Sequence, residues 1–122
     1  MIRFSAVITT KNRRELLEKA ICSVHSQTTG NVECIVVDDA SSDGTQERYE
    51  NDPRIVYERI DAKDSRGGNY ARNQGLARAT GEFVTFLDDD DEWNPDKLEK
   101  QLAFYEKHPG SVIYCGRTFK KV

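Results

Sequence analysis

The stretch FVTFLDDDDEW, Phe83 to Trp93, passes without a break from an apolar run into four aspartates and a glutamate. A short apolar run of this kind reads as a strand buried on both faces, the sort that fills a parallel sheet covered by helices. In such sheets ligands sit beyond the carboxyl ends of the strands, so acids there face a ligand while the strand stays in the core. The reading stands only if the rest of the chain supplies the sheet.

Working outward, strands and helices alternate. RFSAVIT is β-branched and apolar, and it stops at TKNRREL, where Asn12 is predicted to cap a helix with Glu15 three residues on. Leu16, Leu17, Ala20, Ile21 and Val24 then recur at helical spacing. ECIVV is a second strand, broken by DDASSDGT into a turn and a short helix through TQERYE. RIVYERI is a third. In NYARNQGLARAT, Ala71, Gly75 and Ala79 form a small-residue stripe suited to close packing, with Gly81 placed to end the helix. After EFVTFLD comes the helix NPDKLEKQLAFYEKH, opened by Pro95, and then SVIYC as a last strand. The expected fold is therefore α/β, a mostly parallel sheet with helices on both faces joined by right-handed crossovers.

Composition narrows the function. A chain of 122 residues fits one domain. Eighteen Lys and Arg against 21 Asp and Glu give a net charge of -3, which argues against a general nucleic-acid binder. Cys22, Cys34 and Cys115 are odd in number and set in apolar runs, so they read as reduced, buried thiols rather than a disulfide framework or zinc site. No apolar run approaches the roughly 20 residues that cross a bilayer, and there is no signal-peptide core. These features lead to the expectation of a cytoplasmic domain, placed in its full-length form at the inner face of the membrane.

TTKN, DDAS and DDDD all follow strands, so three polar clusters are expected to share one cleft. Carboxylates packed as closely as Asp88 to Asp91 repel one another and are expected to hold protons or recruit a cation. A hard ion such as Mg²⁺ or Mn²⁺ suits oxygen ligands and keeps positions open for phosphate oxygens. A metal carrying a diphosphate is the guest this predicts, against the plainer reading of a solvated acidic turn. DASSDGTQERYE, Asp39 to Glu50, also matches calcium-loop spacing, with Gly44 sixth and Glu50 twelfth. A strand rather than a helix is expected to enter it, which favours a turn where Asp39 meets a ligand and Ser42 or Asp43 caps the next helix. A Gly-rich phosphate loop ending in Gly-Lys-Ser/Thr, GxGxxG and a His pair at metal spacing are all missing from the sequence. His25 and His108 read as helix-end residues, and no cysteine lies in an electropositive setting.

Four ordered motifs, VITTKNR, VVDDASSDGT, GGNYARNQGLARATGEF and FLDDDDEWNPDKL, together resemble the N-terminal, nucleotide-binding half of an inverting family 2 glycosyltransferase of GT-A fold. They cover nearly the whole chain. The resemblance implies transfer of a sugar from a nucleoside-diphosphate donor, with uridine favoured, to a glycan or lipid-linked acceptor in polysaccharide or cell-surface glycan synthesis, with Mn²⁺ or Mg²⁺ as cofactor. It places Thr9 in the turn lining the base pocket, Asp39 on uracil or ribose, and Arg72 on the nucleotide. It puts Asp88 and Asp89 on the ribose-facing part of the DxD motif and Asp90 on the metal. Asp91 and Trp93 read as structural, and Asp38 as fixing a turn rather than a ligand. Thr9 as a plain strand end and Arg72 as partner of a surface acid stand beside these roles. Lys11 occupies the position where the family commonly carries tyrosine, which removes an aromatic for base stacking, and Ser65 replaces a common asparagine.

The family's general base and most of its acceptor site lie beyond the last strand seen here. The expectation is therefore a base beyond Val122, a chain covering the donor half, nucleotide binding without efficient turnover, and self-association through an open sheet edge. A nucleotidyltransferase and a non-catalytic nucleotide-binding module are the alternatives. The first normally carries a glycine-rich basic loop after its first strand, and TTKNRREL contains no glycine.

Overall fold

A computed structural model describes Met1, residues 3–109 and the backbone of residues 118–120. The elements alternate as the periodicity predicts: β1 (Phe4–Thr10), α1 (Arg14–His25), β2 (Val32–Asp39), α2 (Thr45–Tyr49), β3 (Val56–Ile60), α3 (Gly68–Arg78), β4 (Phe83–Asp88), α4 (Lys97–Lys107) and β5 (Thr118–Lys120). They build a five-stranded sheet in the order β3-β2-β1-β4-β5, parallel from β3 to β4, with β5 antiparallel at the edge. SVIYC and Cys115 lie outside the described residues. None of the described helices is long and apolar enough to cross a membrane.

Strand side chains alternate between two cores, which is why the central strands are apolar throughout. Ala6, Ile8, Cys34, Val36 and Leu87 pack with Leu17, Ala20, Ile21 and Val24 of α1 and with Tyr49 of α2. Val7, Ile35, Val37 and Val84 pack on the other face with Ala71 of α3 and with Ala79. Leu98 of α4 covers Phe4 and Phe83, the first residues of β1 and β4. The small-residue stripe of α3 has its expected purpose: a methyl group on Gly75 would overlap Val7 Cγ1 and lie 3.3 Å from Val37 Cγ2.

Four local expectations are corrected. Asn12 does not cap α1. Its backbone is left-handed (φ 54°), and its side chain serves another turn. Arg13 holds the cap position, and the Arg14 amide donates to Asp43 Oδ2 at 3.1 Å, so α1 is capped from the loop after β2. Leu16 is exposed, because the buried stripe of α1 starts at Leu17. Gly81 ends no helix: α3 finishes at Arg78, and a Cβ at Gly81 would meet Ser5 Oγ at 2.8 Å and the Phe4 backbone at 2.9 Å. Its role is close approach to β1. Cys34 is buried, its thiol pushed up to about 12 by desolvation, but Cys22 is exposed with Sγ 3.7 Å from Glu18 Oε1.

Candidate functional site

The chain leaves β1 to build β2 and β3 on one side, then returns to lay β4 on the other. A parallel sheet opens a crevice where its order reverses in this way. Register brings the strand ends level: Thr9 pairs with Asp88 across β1 and β4, and Thr10 with Asp38 across β1 and β2. A cleft of about 550 Å³ opens there. Thr9, Asp39, Arg72, Asp88, Asp89 and Asp90, the six residues singled out from the sequence, all line it.

Two of its loops are stitched together. The Asn12 amide donates to Ser41 Oγ at 2.9 Å, and the Ser42 amide donates to Asn12 Oδ1 at 2.7 Å. Beneath them Asp38 is fully buried. It accepts from the Ser41 amide (3.0 Å), from Arg59 Nη1 (3.2 Å) and, in a short bond, from the Tyr57 hydroxyl. Burial, followed by the bond to Asp38, pushes the Tyr57 phenol above its ordinary range. Asp38 therefore fixes the turn, as expected of it. Ala40 completes that turn with a left-handed backbone (φ 58°), a conformation that costs a residue with a Cβ about 1–2 kcal/mol. The turn presents Asp39, which is 8% exposed and whose Oδ1 is buried without a hydrogen-bond partner in the protein. A buried carboxylate oxygen without a donor is costly, and a ligand donor would satisfy it.

The acid run divides by direction. Asp89 points inward and is 6% exposed, with Oδ2 accepting from Thr10 Oγ1 at 2.9 Å and Oδ1 from Arg13 Nη1 at 3.1 Å. Asp88, Asp90 and Asp91 are exposed, and one carboxylate oxygen from each lies within 4.8 Å of the others. This donor set fits a hard divalent ion: three carboxylate oxygens on an open surface leave room for phosphate oxygens. Asp91, read from sequence as structural, belongs to this group. Trp93, read the same way, packs against the core and carries Lys97 Nζ 4.4 Å above its ring.

Positive groups surround the same cleft. The first turn of α3 has no side-chain cap and opens on it through Gly67 and Gly68, so the helix offers amides and the positive end of its dipole. Arg72 joins it, with Nη2 3.5 Å from Asp88 Oδ1 and Nη1 bonded to Asn69 Oδ1. Lys11 and Arg13 line it too. Arg13 was not foreseen as a site residue. Its place after a strand-ending turn was a signal, but its contact with acids 76 positions away was not. Carboxylates and cations in one open cleft suit a ligand that brings both a metal and a polyphosphate.

The calcium-loop reading of Asp39 to Glu50 is not supported by the geometry. Asp43 is spent on the Thr45 and Arg14 amides, α2 occupies the second half of the segment, and Glu50 accepts from Gln46. Among the described residues, the group of acids close enough to share an ion is Asp88, Asp90 and Asp91.

Comparison with known proteins agrees with this fold. The GalNAc(5)-diNAcBac-PP-undecaprenol beta-1,3-glucosyltransferase of Campylobacter jejuni is 47% identical over 96 residues, covering 75% of this chain and 31% of its own. Staphylococcus aureus TarS, residues 1–349 in complex with UDP, superposes with a TM-score of 0.75 at 32% identity over 88% of this chain and 33% of its own. The Pyrobaculum calidifontis mannosyltransferase PcManGT, solved with GDP-Man and Mn²⁺, superposes with a TM-score of 0.74 at 28% identity over 90% of this chain and 33% of its own. The chain spans about a third of the length of these relatives. Residues 5–122 match the sequence model of Glycosyl transferase family 2, so this GT-A-fold chain belongs to that family.

Proposed function

We propose that residues 1–122 form the donor-binding part of an inverting glycosyltransferase that takes a nucleoside-diphosphate sugar, with UDP as the carrier. The observation that carries this reading is the Asp39 Oδ1 atom, buried and unpartnered beside an open cleft lined by both acids and cations. Asp39 and Thr9 meet the base and ribose, Asp88 and Asp89 line the ribose side, and Arg72 and the amides of α3 receive the diphosphate. Asp90, with Asp88 and Asp91, holds Mn²⁺ or Mg²⁺. Bound there, the ion supplies charge stabilisation to the departing diphosphate.

The chain's own residues bind and orient the donor. Burial of Asp38 and Asp89 keeps the loops that bear Asp39 and Asp90 in place before a ligand arrives. We assign the base that deprotonates the acceptor hydroxyl to sequence beyond Val122, and the acceptor to the glycan or lipid-linked class. The name of the Campylobacter relative, a glucosyltransferase acting in an undecaprenol-linked series, supports that class.

Calorimetry of UDP with Mn²⁺ and with EDTA tests the reading. Binding is expected only with Mn²⁺, lost in Asp90→Ala and weakened at least tenfold in Asp39→Ala, about 1.4 kcal/mol or more. UDP binding that ignores both substitutions and EDTA would remove the site from this cleft.

A further inference from the structure

Arg13 already pairs with one member of the acid cluster, Asp90. Its Nη1 lies 3.1 Å from Asp89 Oδ1 and 3.0 Å from Asp90 Oδ2, so one nitrogen bridges a buried carboxylate and an exposed one. The two links differ in strength. The Asp89 side chain is only 8% exposed and has Thr10 as a second partner, so losing its cation would strand a buried charge. Asp90 is half exposed, where solvent screening makes the pairing weak. A divalent ion on Asp90 competes with the guanidinium for that carboxylate, because the two positive charges repel. The structure therefore defines which contact breaks first.

We propose that Arg13 is a positioning residue that occupies Asp90 in the ligand-free chain and yields it to the divalent ion, so that metal and diphosphate enter together rather than one at a time. This rests on the donor-site reading above. Asp89 keeps the displaced side chain at the cleft, which Arg13 already lines. A guanidinium carries five donors in a flat fork, and both present contacts use one nitrogen. A diphosphate in the cleft offers acceptors to the donors that are freed. Metal without diphosphate competes with Arg13 for Asp90, and diphosphate without metal meets an arginine already engaged. Each ligand therefore raises the affinity for the other, a coupling that is reciprocal by necessity.

Titrating Mn²⁺ alone, read by the paramagnetic signal of the free ion, and again at saturating UDP, tests the proposal on wild type, Arg13→Gln and Arg13→Lys. Arg13→Gln is expected to bind Mn²⁺ alone about fivefold tighter than wild type, and the gain in Mn²⁺ affinity from UDP is expected to shrink toward one. Arg13→Lys keeps the charge but loses the flat five-donor fork offered to the diphosphate, so it should fall between. A purely structural arginine predicts the opposite, since a loosened acid run binds metal more weakly. Should the glutamine variant fail to fold, the lysine variant carries the same comparison against wild type. Mn²⁺ affinity at or below wild type in the folded variants, with UDP binding still dependent on Mn²⁺ and Asp90, overturns the role of Arg13 and leaves the donor site standing. No Mn²⁺-dependent UDP binding in any of the three chains overturns both.

Discussion

At Asn12 the backbone turns left-handed, and a short amide side chain is what makes that turn useful. Asparagine tolerates the conformation better than most residues, and here its amide oxygen and its own N–H reach the neighbouring loop together. Asn12→Ala keeps the strain and loses the Ser42 contact. The expected cost is about 1–2 kcal/mol in chemical denaturation, with UDP affinity falling as the loop bearing Asp39 loosens. The residue type was legible from the sequence and its use was not: asparagine suits a helix cap and a left-handed turn equally, and only the position of Ser41 and Ser42 decides. The same limit hid Arg13, because spacing along one segment says nothing about a carboxylate delivered by another strand. The place of Asp39 at the cleft was legible because residues at the carboxyl end of a buried parallel strand face the crevice.

Among the elements, α3 is fitted to the sheet by the absence of side chains. Gly75 lets the helix sit directly on Val7 and Val37, and Ala71 continues the contact. Gly75→Ala would force those valines to move, at an expected cost of about 1–3 kcal/mol, seen as a lower denaturation midpoint. Gly30→Ala is the control, since a Cβ there meets nothing within 4 Å, and it should change little. Strand and helix identities were readable because burial on two faces leaves near-continuous apolar runs, and Leu17, Ala20, Ile21 and Val24 mark one helical stripe. Boundaries were less so. Leu16 satisfied the same spacing yet lies on the exposed side, and Gly81 looked like a helix terminator because a close backbone approach and a C-cap both call for glycine.

Over the whole molecule, charge ties the far ends of elements together. Arg54 bonds Asp52 at 2.7 Å and Glu18 at 2.9 Å, joining the segment before β3 to the middle of α1. Its bonds to Asp52 and then Glu18 raise the Arg54 guanidinium above its usual range, and hydrogen bonds from Arg54 hold both carboxyls below theirs. A carboxyl lowered in the folded state adds stability that is fully present above its unfolded value and is lost as the pH falls through its folded one. Thermal stability is therefore expected to be level above about pH 5 and to decline below about 4, with Arg54→Ala flattening the decline. Scans of melting temperature from neutral to acid pH for the two chains check this.

The strand order also sets a schedule. β1, β2 and β3 are successive in the chain and adjacent in the sheet, whereas β4 must close on β1 across a span like the 79 positions between Thr10 and Asp89. Pairings this distant form late and slowly. During synthesis the loops after β1 and β2 can already be joined while the acid run has yet to emerge from the ribosome, and domains fold as their parts become available. On the donor-site reading proposed above, donor and metal bind only the finished arrangement, so by mass action they stabilise the late closure of β4 on β1 and make nucleotide supply a factor in how completely the nascent chain commits to its fold.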